Sequence, residues 1–96
     1  MIDCIMEITV EISLYPLNEN FKEIIKEFIL NLNKYKNISI VTNNVSTQIS
    51  GEYNIIMDIL KNEIKNTFEK NRSVLVAKFL IGNKLSDNQI KNELSP

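Results

Sequence analysis

The sequence predicts an α+β fold, a ferredoxin-like sandwich in which two helices pack on one face of a four-stranded antiparallel sheet. Three observations lead to this fold class. Apolar and polar residues alternate strictly over residues 6–14, as in a strand with one buried face. Two later segments carry apolar residues at helical spacing, and three more have the composition of short strands. The resulting order, β-α-β-β-α-β, is typical of this sandwich.

The first half of the chain supplies a strand, a helix and a second strand. The first strand ends at Pro16, since proline cannot donate to a strand ladder. A helix is predicted over about residues 20–34, with Asn20 and Glu23 as a capping box. A short β-branched strand follows over residues 38–42.

The second half repeats this order. The dipeptide at residues 43–44 is a turn signal, and residues 45–50 form the third strand, so the second and third strands make a hairpin. Ser50 is the predicted N-cap of a second helix that extends to about Lys70. The fourth strand, residues 74–81, is almost continuously apolar.

One ferredoxin-like domain is therefore predicted over residues 1–82. Residues 83–96 form a polar tail in which a short helix could lie around residues 87–94. The usual strand order of this fold, 4-1-3-2, places strands one and three at the centre of the sheet. The polar face of strand one then lies on the open side, away from the helices.

Composition excludes several function classes. The chain has no His and one Cys, Cys4, which excludes Ser-His-Asp triads, His acid-base chemistry and metal sites of the Cys/His type. Its two glycines, Gly51 and Gly82, are too few for a GxGxxG motif and too far apart for a P-loop. We therefore expect a protein that is not an enzyme and holds neither a metal nor a cofactor.

Charge and hydropathy narrow the partners. The net charge is −1, with acidic and basic residues scattered along the chain, and the open face has acids instead of base-stacking aromatics. These features predict no nucleic-acid partner. Apolar runs are too short to span a bilayer, and the N-terminus lacks a secretory signal pattern, so a cytoplasmic protein with no membrane partner is expected.

Two motifs are the most distinctive part of the sequence. The first is I-S-L-Y-P-L at residues 12–17, and the second is T-Q-I-S-G-E at residues 47–52. On these elements and at this spacing they resemble the YkoF-like thiamine-binding protein family, over roughly residues 6–82. The resemblance implies a ferredoxin-like fold, oligomeric assembly, and binding of thiamine or its hydroxymethylpyrimidine part without chemistry. It also makes residues 1–82 a ligand-binding domain.

The motif residues carried over by this resemblance are Ser13, Leu14, Tyr15, Pro16, Thr47, Ile49, Gly51 and Glu52. One departure is Ser46, where the resemblance implies a smaller residue, often glycine. Its Cβ could narrow the pocket.

Polar residues near these motifs have the chemistry that thiamine requires. Carboxylates can accept from its exocyclic amine and favour its cationic thiazolium, hydroxyls can donate or accept, and an aromatic face can hold the cation. The candidate ligand-binding residues are Glu11, Ser13, Tyr15, Ser46, Thr47, Gln48 and Glu52. We expect the ligand at the end of strand one and the start of strand three, reached from the open face or from a cleft between subunits.

Each candidate also has a purely structural interpretation. Glu11 could be a solvated charge, or could pair with Lys78 across the open face. Ser13 could simply end its strand, and Tyr15 could be an anchor before the proline. Along its strand, Thr47 falls among the alternate positions that are predicted to face the core. Separately, Glu52 could be a helix-dipole partner in the first turn.

The fourth strand predicts self-association. It is an edge strand with apolar residues on both faces, and helices cover only one face of the sheet. Ile55 and Ile59 also widen the apolar arc of the second helix. A dimer or tetramer is the expectation, with the C-terminal tail as an alternative cover. The alternative function is a structural or regulatory homo-oligomerisation module with no small-molecule ligand.

Overall fold

The computed structural model describes residues 5–43 and 46–82, and it has the predicted β-α-β-β-α-β order. Its elements are β1 (Glu7–Pro16), α1 (Phe21–Leu32), β2 (Ser39–Thr42), β3 (Thr47–Glu52), α2 (Tyr53–Lys70) and β4 (Ser73–Ile81). The sheet has the strand order β2-β3-β1-β4, and every neighbouring pair is antiparallel. The predicted sandwich and its central strands are therefore confirmed.

The strand register determines which side chains face each other. Glu11 of β1 lies opposite Gln48 of β3 on one side and opposite Lys78 of β4 on the other. One residue further along β1, Ile12 lies opposite Thr47. Because side chains alternate along a strand, Glu11, Gln48 and Lys78 share the open face, while Thr47 points to the helix side.

The core lies between the helices and one face of the sheet. The apolar residues of the alternating segment in β1 form the sheet side of the core, and each helix contributes one apolar stripe. Its buried members are Ile8, Val10, Ile12, Leu14, Ile24, Phe28, Leu32, Ile49, Ile56, Ile59 and Leu60. Period-two alternation in β1 thus correctly indicated the buried face of the central strand.

The start of α2 differs from the prediction. Ser50 is not its cap, because β3 continues to Glu52 and the side chain of Glu52 caps the helix. The backbone N–H of Ile55 donates to Glu52 Oε1 at 3.3 Å. Ser50 instead shares a 2.6 Å hydrogen bond with the Thr9 hydroxyl across the strand pair. A serine with a partner on the neighbouring strand is better satisfied inside the sheet than at its end.

The predicted capping box of α1 is also wrong. Asn20 makes no side-chain cap; its backbone carbonyl accepts from the N–H groups of Glu23 and Ile24. The helix begins at Phe21 and ends at Leu32, two residues before the predicted end. Its start is therefore held by backbone hydrogen bonds.

Just past α1, Tyr35 ties the end of this helix to α2. Its hydroxyl donates to Glu63 Oε2 at 2.7 Å. That hydrogen bond raises the pKa of Tyr35, and burial and the nearby carboxylate charge act in the same direction. This contact helps to hold the two helices together on the same face of the sheet.

The apolar surface of α2 is smaller than predicted. Ile59 is only 3% exposed and belongs to the core, and Ile55 packs against that core. Neither residue therefore indicates a partner surface. On β4, by contrast, Val74, Val76 and Leu80 remain exposed on the open face.

Three predictions lie outside the described residues: the environment of Cys4, the full turn at residues 43–44, and the C-terminal tail at residues 83–96 with its short helix. Neither α1 nor α2 is long and apolar enough to cross a membrane.

Candidate ligand-binding site

A cavity of about 100 Å³ lies between α1 and the end of the sheet where β1 finishes and β3 begins. We call it the α1 cavity. Its apolar wall consists of Ile12, Leu14, Ile25, Phe28 and Ile29, and its polar lining consists of Ser13, Asn43, Ser46 and Thr47. It therefore includes the end of β1 and the start of β3, where the sequence led us to expect the ligand. Its position between the sheet and a helix was not predicted, because the expected approach was from the open face or a subunit cleft.

Thr47 is the most enclosed polar residue of this lining. It is buried, since its strand position places it on the helix side. Within the described residues its hydroxyl has one hydrogen bond, of 3.3 Å, to the hydroxyl of Thr42 on β2. That distance is long for a bond between two hydroxyls. The Thr47 hydroxyl therefore retains the capacity to bond with a molecule in the cavity.

Ser46 connects the cavity to the open face. Its backbone N–H donates to Asn43 Oδ1 at 2.9 Å, which fixes the turn into β3. Its hydroxyl donates to Glu11 Oε2 at 3.2 Å. Ser46 therefore lines the α1 cavity on the helix side and also contacts the Glu11 carboxylate on the open face of the sheet.

The open face carries a second depression of about 220 Å³, around Glu11. Glu11 Oε1 lies 3.8 Å from the Lys78 ammonium, so the sequence-based expectation of this pair is confirmed. Gln48 flanks Glu11 on the other side. The depression is thus a partly charged patch over the middle of the sheet.

Two of the predicted ligand-binding residues lie apart from this group. Tyr15 is exposed, pairs with Val74 of β4, and does not line the α1 cavity. Glu52 lies at the far end of β3, roughly 16 Å of strand away from Thr47, where it caps α2. The structure therefore brings Ser13, Ser46 and Thr47 together at one cavity, with Glu11 in contact through Ser46.

The helix wall of the cavity was missed by sequence reasoning. Ile25, Phe28 and Ile29 have the helical spacing of a core-facing stripe, and that spacing gives no reason to separate them from other core positions. Asn43 was assigned only to a turn. Both omissions concern residues whose role depends on how α1 sits over the sheet, which periodicity does not report.

The lining suits binding of a polar ring through its edges. Hydroxyls can donate or accept, and the Asn43 amide offers both functions. In the part of the chain that the structure describes, no three acidic or sulfur-bearing side chains come together in a way that could hold a metal ion.

Fold and site together define a class of small ferredoxin-like protein with a polar-rimmed cavity where the first central strand ends and the second begins. The chain belongs to the YkoF-related family, whose model matches residues 7–83. That match covers the whole described sandwich from the start of β1.

Solved structures share this fold at low sequence identity. A Thermotoga maritima protein, provisionally named as a thiamine biosynthesis/salvage protein, is 19% identical with a TM-score of 0.75, covering 91% of this chain and 98% of its own. A Streptococcus pneumoniae protein is 20% identical with a TM-score of 0.76, covering 91% and 99%. A Methanocaldococcus jannascii protein is 22% identical with a TM-score of 0.64, covering 92% of each chain. These likenesses establish the fold alone.

No curated protein matches this sequence.

Proposed function

We propose that this protein binds thiamine or a related hydroxymethylpyrimidine compound in the α1 cavity, without chemical conversion. Membership of the YkoF-related family supports a ligand of this class, as does the name of the Thermotoga maritima relative. The observation that carries the proposal is that Ser13, Ser46 and Thr47, all in or beside the two motifs, line one partly apolar cavity, with the Thr47 hydroxyl on its side of the sheet.

Cavity size favours the pyrimidine half of the ligand. A buried cavity of about 150 Å³ is enough for benzene, and the α1 cavity has about 100 Å³ with an opening to solvent. It therefore suits a single ring with some adjustment of its walls. The ring faces would pack on Phe28 and its apolar neighbours, while a polar edge of the ring bonds to the Thr47 hydroxyl.

The thiazolium half would remain at the rim, near Glu11. This carboxylate lies outside the cavity but within hydrogen-bond distance of Ser46. We therefore assign the polar edge of the pyrimidine to the Thr47 hydroxyl and assign the cation to Glu11. Gln48, beside Glu11 on the open face, is placed to contact the same half of the ligand. In this arrangement Tyr15 and Glu52 serve the fold.

The described lining supports a binding role without catalysis. Among the described residues that line the α1 cavity there is no carboxylate, amine or thiol that could act as an activated nucleophile or a general base. We also propose a cytoplasmic location, as the sequence led us to expect. Thiamine and its precursors are metabolites of that compartment.

Calorimetry tests the proposal. Titration of the purified protein with thiamine and with hydroxymethylpyrimidine should show dissociation constants in the micromolar range or tighter. The isolated thiazole alcohol is the control ligand, and it should bind far more weakly because it lacks the ring that fills the cavity. Absence of binding by both pyrimidine-containing ligands at millimolar concentration would contradict the proposal and favour the alternative of a homo-oligomerisation module.

We also propose self-association to a dimer or tetramer through β4. The open face of this edge strand exposes Val74, Val76 and Leu80, and the opposite face exposes Phe79 and Ile81 at its end. An apolar edge strand of this length tends to pair or to be covered. Burial against a second copy satisfies both its apolar side chains and its unpaired backbone groups.

Light scattering tests this assembly. The wild-type protein should have the mass of a dimer or tetramer at tens of micromolar, and Val76→Asp should lower that mass. Val41→Asp is a matched control, because Val41 lies on the same open face but on the other edge strand, with 49% exposure against 45% for Val76. A wild-type monomer, or equal effects of the two variants, would refute the proposed contact.

A further inference from the structure

Both carboxylate oxygens of Glu11 are already occupied in the structure. Ser46 donates to Oε2 at 3.2 Å, and the Lys78 ammonium lies 3.8 Å from Oε1. The two partners approach from opposite sides, because β3 and β4 flank β1. A cation that binds at Glu11 must therefore displace Lys78 or share the carboxylate with it.

We propose that Lys78 is an internal competitor for the cationic half of the ligand and so sets the preference between charged and neutral pyrimidines. The inference rests on the proposed function, since it concerns the same site. Thiamine carries a permanent positive charge on its thiazolium, whereas hydroxymethylpyrimidine is neutral at neutral pH. Competition at Glu11 penalises thiamine and leaves the neutral ligand unaffected.

The geometry allows this competition. The Lys78 side chain is 77% exposed, and the ion pair is long, so the ammonium can leave Glu11 at little cost. Lys78 is flanked on its own strand face by the apolar Val76 and Leu80, and within the described residues Glu11 is its only ion-pair partner. Glu11 is therefore the group that the Lys78 ammonium contacts when the site is empty.

The size of the effect follows from the exposure of the pair. Exposed ion pairs alter an equilibrium by about 5-fold at most. Replacing Lys78 with an uncharged residue should therefore raise the ratio of thiamine affinity to hydroxymethylpyrimidine affinity by about 2- to 5-fold. The effect should shrink at high salt, because exposed charges are screened.

The test is calorimetry of Lys78→Met with both ligands at low salt. Lys70→Met is the matched control: it removes the same charge from an exposed ion pair, the 3.5 Å pair with Glu27, which joins the two helices and does not involve Glu11. The affinity ratio should rise in Lys78→Met and stay at the wild-type value in Lys70→Met. In a Glu11→Gln background the substitution of Lys78 should no longer alter the ratio.

The outcomes separate this inference from the proposed function. If wild-type protein binds both ligands and Lys78→Met leaves the ratio unchanged, the competition is overturned while the binding function stands. If the ratio changes equally in Lys70→Met, the effect is one of net charge and the inference is likewise overturned. If wild-type protein binds neither ligand, both fail together. Should Lys78→Met not fold, Lys78→Gln serves as the second variant.

Discussion

Two buried threonines occupy opposite ends of the central strand pair, and they differ in how their hydroxyls are bonded. Thr9 on β1 and Thr47 on β3 are each 4% exposed. The Thr9 hydroxyl donates to the Gly82 carbonyl oxygen at 2.8 Å and accepts from Ser50 at 2.6 Å. Thr47 has its single described hydrogen bond, at 3.3 Å, with Thr42.

The bonding of the two hydroxyls distinguishes a structural role from a ligand-binding role better than their burial does, because the two residues are equally buried. At the Thr9 end, short hydrogen bonds close the sheet around its own polar groups. At the Thr47 end, a hydroxyl of equal burial faces a cavity and is weakly engaged. The first end should therefore contribute mainly to stability, and the second mainly to binding.

The largest expected effect comes from exchanging each threonine for valine. Thr47→Val should weaken the binding of both pyrimidine ligands by about 10-fold, because a buried hydrogen bond to the ring is lost. Thr9→Val should lower the free energy of unfolding by about 1–3 kcal/mol, because it leaves the buried Ser50 hydroxyl and the part-buried Gly82 carbonyl without their bonds. Calorimetry and urea unfolding measure the two quantities.

Each variant is the control for the other. Thr9→Val should retain wild-type affinity, and Thr47→Val should lose less stability than Thr9→Val. A reversed pattern, with affinity lost in Thr9→Val and kept in Thr47→Val, would move the binding site to the other end of the strands.

A smaller effect is expected from substituting two serines, Ser46 just before β3 and Ser50 within it. Ser46→Ala should weaken thiamine binding by about 2- to 10-fold, since one neutral hydrogen bond is lost. Ser50→Ala removes the same atom four residues further along and should leave affinity unchanged while lowering stability by about 1 kcal/mol. Equal affinities in the two variants would show that the Ser46 hydroxyl does not contact the ligand.

The smallest effect concerns Glu52, which the family-like motif contains but the cavity does not. Glu52→Ala should reduce the free energy of unfolding by about 1 kcal/mol through loss of the α2 cap, and binding should be unaffected. Glu7→Ala is the matched control, since Glu7 lies directly opposite Glu52 in the ladder. Removing Glu7 relieves repulsion between like charges and should leave stability unchanged or slightly higher. A loss of affinity in Glu52→Ala would contradict the division between the two ends.

Sequence patterns predicted most of the fold because the signals are local. Alternation identified the buried face of β1, and helical spacing identified α1 and α2. The start of α2 was not predictable in the same way. Ser50 is a favourable cap by residue type, and only the register of β1 against β3 gives it the Thr9 hydroxyl as a better partner.

The candidate site was predicted in part for a related reason. Ser13, Ser46 and Thr47 are polar residues beside distinctive motifs, so residue type and position indicated them together. The wall that turns them into a cavity comes from Ile25, Phe28 and Ile29, whose spacing marks them only as core. How closely a helix packs over the end of a sheet depends on tertiary contacts, which the local pattern does not encode.

Chemical-shift mapping tests the central claim most directly, because it locates the ligand without any substitution. Amide signals of isotope-labelled protein should be followed while hydroxymethylpyrimidine is added. The largest changes are expected at Ser13, Ser46 and Thr47 and on the facing side of α1, with little change at residues 50–52. Binding that shifts the signals of residues 50–52 or of the open face of β4, and leaves Thr47 unmoved, would contradict the α1 cavity as the site.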